Sequence, residues 1–293
     1  MKANSDCIAC LLNKQANIIR PFPDEDKKDE YIAKVLKILL DYGQKRPSPW
    51  LFMMIEEAYA GYFEPTIDYP AIKKKYNQYM LDMEDAVWDI IKESEDPIAS
   101  GIKYASAGNF IDFGAMAKVD DSVLEELMKN ANDNQLEDEE LAAFKNDLEK
   151  GKELVYLTDN CGEVVMDKLF IKAIKMLYPD LKIHVIVRSG IALNDANMED
   201  AAFIGLTEIA DCIESGVACT GTVPELLSPQ AKEILDKADL IISKGQGNFE
   251  GMYGENYNTY YLFLCKCQMY VRRFGLKQFT PVFNNEKNIK TKW

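Results

Sequence analysis

Histidine is nearly missing from this chain of 293 residues: His184 is the single one. It falls in the middle of an apolar run, where a packed core role is expected, so no Ser-His-Asp constellation can be built around it. The phosphate-loop order GxxxxGK[ST] and the dinucleotide signature GxGxxG are both absent. No segment approaches the ~20 uninterrupted apolar residues of a membrane span, and the N-terminus carries Asp6 early with no cleavage signal, so neither a membrane anchor nor a signal peptide is expected. Basic residues are outnumbered, 34 to 48, for a net charge of -14. No basic stripe exists to hold nucleic acid. Seven cysteines make no disulfide framework, and a reducing, cytoplasmic setting is expected.

What is present divides in two. Residues 1–150 read as helices, with Ile32, Val35, Leu36 and Leu39 on one face, and Ile72, Tyr76, Tyr79, Met80, Met83 and Val87 on another. Residues 120–149 set eleven acids against Lys129 and Lys145, which reads as two solvated helices. From 151 to 293 the texture changes. LVYLTD (154–159), KIHVIVR (182–188), IADCIE (209–214), DLIISKG (239–245) and QFTPVF (278–283) read as strands separated by helical stretches. The expected fold class is α/β: a mostly parallel, three-layer, Rossmann-like α/β/α sheet domain with an N-terminal helical region or cap.

Ligands of such sheets bind beyond the carboxyl ends of the strands. Asp159-Asn160-Cys161-Gly162-Glu163 follows the first strand. Its side-by-side oxygens suit Mg²⁺ or Mn²⁺, although either residue could equally be a helix cap. Arg188 through Asp195 follows the second strand. Asp195 could complete a metal site with Asp159 and Asn160, while Arg188 reads as an ion-pairing residue. Lys244-Gly245-Gln246-Gly247-Asn248 follows the fourth strand and offers a point charge and backbone N–H groups for phosphate. Asn109 could be no more than a helix C-cap. Cys7-x-x-Cys10 has the spacing of half a structural zinc site, to which Cys265 or Cys267 could add. Cys161 reads as a bystander, and the thiols near the N-terminus have no evident reason to meet Asp159.

Taken together, these motifs resemble the damage-control phosphatases, the family long called domain of unknown function 89. The resemblance rests on Asp159-Asn160-x-Gly162-Glu163, Asn194-Asp195, Lys244-Gly245-x-x-Asn248-x-Glu250, Asn109-x-x-Asp112, Lys266-Cys267 and Cys7-x-x-Cys10, the last as in the stand-alone archaeal and bacterial branch. It implies a phosphatase dependent on a divalent metal (Mn, Mg, Co or Ni) that acts on small phosphorylated metabolites, damaged or side-product forms among them. It also implies that Asp159, Asn160 and Asp195 bind the metal, and that Glu163, Lys244, Asn248 and Asn109 line the substrate pocket. Asp159, Asp195 and Lys244 are the catalytic candidates, with Asp195 or Glu163 placing water. The Arg-Thr-x-Lys element of the eukaryotic branch is absent. A methyltransferase binding S-adenosylmethionine and a non-catalytic metal or nucleotide sensor are the competing readings; the methyltransferase lacks its glycine-rich loop.

Overall fold

A computed structural model of the chain describes residues 1–112 and 120–290. The helices of the first half are α1 (Ser5–Ile19), α2 (Glu25–Tyr42), α3 (Ser48–Ala60), α4 (Tyr69–Leu81), α5 (Glu84–Glu93), α6 (Pro97–Gly108), α7 (Asp121–Lys129) and α8 (Asp138–Lys150). Several start on a polar cap: Asn4, Asp24, Asp68 and Asp96 each accept a first-turn backbone N–H. Of the apolar face expected on α2, Val35 and Leu39 are buried, but Leu36 is exposed. The expected face of residues 72–87 is split over α4 and α5.

The second half alternates β1 (Glu153–Leu157), α9 (Glu163–Leu177), β2 (Lys182–Val187), α10 (Met198–Phe203), β3 (Asp211–Glu214), α11 (Pro229–Lys237), β4 (Leu240–Lys244), α12 (Gly245–Met252), β5 (Thr259–Leu264), α13 (Gln268–Phe274) and β6 (Pro281–Asn285). The strands form one sheet in the order β3-β2-β1-β4-β5-β6. All neighbours are parallel except β5 and β6. The α/β expectation holds, with an antiparallel edge. The last expected strand begins at Pro281 rather than residue 278, and β5, an unbroken TYYLFL, is an addition to the expected set.

Alternate strand residues face opposite ways. Leu154, Tyr156, Leu240, Ile242, Tyr260 and Leu262 join one apolar cluster with residues of α4 to α10. Val155, Leu157, Ile241, Tyr261 and Phe263 join the other with residues of α1 to α3 and α11 to α13. The helices of residues 1–150 therefore cover both faces of the sheet. The strand order reverses between β1 and β4, which opens a crevice at their carboxyl ends.

Candidate active site

Three loops converge on that crevice. The chain leaves β1 through Thr158, Asp159, Asn160 and Cys161, then turns at Gly162, whose φ of +71° favours glycine. The Gly162 N–H donates to Asn77 Oδ1 of α4 at 2.6 Å. The loop after β2 is laced to this segment: Cys161 N donates to Asn194 O at 2.8 Å, Ala196 N donates to Asp159 O at 2.7 Å, and Asn160 and Asp195 form an isolated antiparallel bridge. Asp159, Asn160 and Asp195 are thereby held together by backbone, with side chains nearly buried.

The side chains are tightly oriented. Asp159 Oδ2 accepts from Asn160 Nδ2 at 2.7 Å and from Asn109 Nδ2 at 3.0 Å. Asn194 Nδ2 donates to Asn160 Oδ1 at 3.0 Å, fixing which end of that amide presents oxygen. Arg188 Nε donates to Asp195 Oδ2 at 2.8 Å. Gly245 opens α12 at φ +77°, and a Cβ there would collide with Asp159 Oδ2. The glycine after Lys244 is the space that the Asp159 carboxylate occupies.

Burial raises the Asp159 carboxyl well above the usual range, and the nearby Glu163, Asp195 and Asp112 carboxylates push it further. Burial also raises Asp195, against the Arg188 guanidinium, to about 6. The residues fit a hard divalent cation: two carboxylate oxygens and an amide oxygen, with more negative charge than the protein neutralises. Among the described residues no group of three or more His, Cys, Asp or Glu is arranged to hold a metal ion, so the two aspartates would need Asn160 and solvent to complete a coordination shell.

A second polar cluster lies behind the first. Lys244 Nζ is fully buried and donates to Glu163 Oε1 at 2.6 Å, Asp167 Oδ1 at 2.6 Å and Ala105 O at 2.9 Å. Glu163 Oε2 accepts from Asn109 Nδ2 at 2.8 Å and Asn160 Nδ2 at 3.0 Å. Tyr156 donates its hydroxyl to Asp167 Oδ1 at 2.7 Å. Asn248 Oδ1 accepts from Arg188 and from Thr222 N, while its Nδ2 donates to the Thr158 and Lys244 carbonyls.

A cavity of about 190 Å³ opens on Asp159, Asn160 and Asp195, with Asp112, Lys14 and Gln246 also on its wall. The chain matches a known family over nearly its whole length: the damage-control phosphatase ARMT1-like domain covers residues 3–282. The chain belongs to this phosphatase family. It is similar to a damage-control phosphatase of Archaeoglobus fulgidus, 28% identical over 94% of this chain and 96% of the relative. It is also similar to one of Pyrococcus horikoshii, 28% identical over 93% and 94% of the two chains. The crystal structure of a DUF89 family protein from Pyrococcus horikoshii superposes with a TM-score of 0.77 at 26% identity, over 98% of this chain and 99% of that one.

Within this family member, the seven expected site residues fall into two sets. Asp159, Asn160 and Asp195 border the cavity. Glu163, Lys244, Asn248 and Asn109, expected to line the substrate pocket, are fully buried and are not on its wall. Asn109 is both the C-cap of α6 and a donor to Asp159, so its two readings coexist. Arg188 is the ion-pairing residue expected, and His184 is buried on β2 with its Nδ1 2.9 Å from Asp211 Oδ2.

The cysteines depart from expectation. Among the described residues no thiol cluster suits a structural zinc ion. Cys7, Cys10 and Cys267 instead border the same cavity as Asp159, because α1 packs at the strand ends. The spacing of Cys7, Cys10 and Lys14, at i, i+3 and i+7, already put them on one helix face. The Glu163–Asp167 pair on α9, two carboxylates one turn apart, was a similar signal, and burial of both makes them share Lys244.

Proposed function

We propose that this family member is a divalent-metal-dependent phosphatase that hydrolyses phosphomonoesters of small metabolites. The observation that carries the reading is the convergence of Asp159, Asn160 and Asp195 on the cavity at the switch point, with their negative charge incompletely matched. These three residues would hold the ion, drawn from Mn, Mg, Co or Ni. When bound, a divalent ion supplies Lewis-acid polarisation of phosphoryl oxygens and a more acidic water.

The remaining residues act around that site. Asn109 and Asn160 hold Asp159 by its Oδ2, and Arg188 holds Asp195. Asp195 is the carboxylate that positions water, because both Glu163 oxygens are engaged by Lys244, Asn109 and Asn160. Lys244 is a positioning residue: its three N–H bonds go to Glu163, Asp167 and Ala105, which leaves none for phosphate. Asn248 keeps Arg188 in place beneath Asp195. The methyltransferase reading has no support beside the family match. Among the described residues no helix is long and apolar enough to cross a membrane. The seven free thiols favour a reducing cytoplasm.

The test is turnover of a panel of phosphorylated metabolites by purified protein. Hydrolysis should stop in EDTA and return with added Mn²⁺ or Mg²⁺. Undiminished turnover in EDTA would overturn the metal assignment, and no turnover of any ester would overturn the phosphatase reading for this chain.

A further inference from the structure

The small cavity does not end at the oxygen cluster. A groove of about 1040 Å³ runs beside it, and the two share Cys10, Lys14, Phe52 and Leu193 on their walls. The groove lies between α1 and α3, the approach to α4, and the Ile191–Leu193 stretch of the loop after β2. Its volume is at the upper end of the ~300–1,000 Å³ typical of pockets for drug-sized ligands. A phosphate on a two- or three-carbon tail would leave most of it to water.

The lining is chemically selective. Phe52, Tyr59 and Tyr69 supply aromatic surface, Asn13 and Asn17 supply amides, and Glu56 supplies a carboxylate. Lys14 is the one cation among the described residues bordering either space. Its ammonium rides over the Phe52 ring at 4.7 Å. Burial lowers its pKa, while Asp112 and Asp195 on the oxygen-cluster side and Glu56 on the groove side favour its charged form. On that cavity wall Asp6, Asp112 and Asp195 are paired with Arg272, Lys266 and Arg188, whose charges they offset, while Asp159 accepts from amides, so a dianionic phosphate entering there needs a further cation facing it. Lys244 is sealed away from that task.

We propose that the groove seats the organic part of the substrate and that Lys14, at the junction, binds the phosphate. The substrate class is then a phosphomonoester whose organic part carries an aromatic ring or an extended apolar segment with a neutral or cationic polar group. Glu56 selects against a second anionic group. This rests on the phosphatase reading above.

Ethyl phosphate and 2-phenylethyl phosphate, whose leaving alcohols are of similar acidity, make the test with the Mn²⁺-loaded full chain. The 2-phenylethyl ester should have kcat/KM higher by about tenfold or more. Tyr69→Ala should lower kcat/KM for the 2-phenylethyl ester to the value for ethyl phosphate. Ile191→Glu, at an exposed residue of the groove wall, should do the same without burdening the fold. Lys14→Met should lower kcat/KM for both esters by about tenfold or more, mainly through KM, with Mn²⁺ binding no weaker than in the parent and partial rescue by Lys14→Arg. Equal kcat/KM for the two esters, or a Lys14→Met variant with unaltered KM, would overturn this inference and leave the phosphatase standing. Failure of the wild type to hydrolyse either ester or any metabolite ester would overturn both.

Discussion

The two buried carboxylate clusters sit side by side, share Asn109 and Glu163, and are neutralised in different ways. Behind β1 and β4, Glu163 and Asp167 are closed around Lys244, an ammonium with three acceptors and no exposure. At the crevice, Asp159 and Asp195 have amides and one guanidinium edge, and they border a cavity. Burial raises the carboxyls in both places: Asp167 to about 7 against the pull of Lys244, Asp195 to about 6 against that of Arg188, and Asp159 well above its ordinary value. Where the chain supplies its own cation, the cluster is a structural strut. Where its own cation reaches only Asp195, the charge left on Asp159 is the binding capacity that we propose an ion from solution fills.

The sharpest way to break this contrast is Lys244→Met. It leaves two carboxylates buried without their cation, and about 3–5 kcal/mol of stability should be lost, read as a fall in the urea midpoint. A variant with an unchanged midpoint and only a raised KM would return Lys244 to the phosphate. Asp159→Asn should behave in the opposite sense. Turnover should drop about a thousandfold, while stability at pH 7.5 holds or rises, because a carboxylate repelled by Glu163, Asp195 and Asp112 is gone. Thermal melts beside kinetics separate the two cases.

Gly245→Ala probes the contact between the clusters. Its Cβ collides with Asp159 Oδ2, and φ is +77°. A loss of about 1–3 kcal/mol with weakened metal binding is expected. Gly275→Ala, at φ +66° with open space around its Cβ, carries the backbone strain without the collision and should cost less and leave metal binding intact. The smallest effect is a pH dependence. The folded Asp195 pKa, about 6, lies above the unfolded value of about 3.9. The native state therefore binds more protons through that window, so the Asp195 contribution to metal-free stability is full below the lower value and is lost as pH rises through the upper one. Protons also compete with the ion, so metal affinity should fall below about pH 6. Melts with and without Mn²⁺ at several pH values test both statements, which an affinity unchanged from pH 7.5 to 5 would contradict.

How much of this was legible depends on the range of the interactions. Asp159, Asn160 and Asp195 stand just after strands whose apolar runs mark a parallel sheet, and the rule that ligands meet strand ends needs no tertiary detail. Lys244 was equally visible, but its job was not. A lysine after a strand reads as a phosphate ligand until Glu163 and Asp167 are seen on the facing helix. Strand β5 lacked any alternation to distinguish TYYLFL from buried helix, since it is covered on both faces, although Gly254 and Asn256 before it were a turn signal. The arrival of α1 at the crevice, bringing Cys7, Cys10 and Lys14 to residues 150 positions away, depends on packing against the far side of the sheet and leaves no local trace beyond the shared helix face.

The most direct measurement is calorimetric titration of metal-free protein with Mn²⁺, on the wild type and on Asp159→Asn, at pH 7.5. One ion per chain should bind the wild type, and that binding should vanish in a variant that melts no lower than the parent. Stoichiometric Mn²⁺ binding of undiminished affinity by Asp159→Asn would contradict the assignment of the crevice cluster as the metal centre.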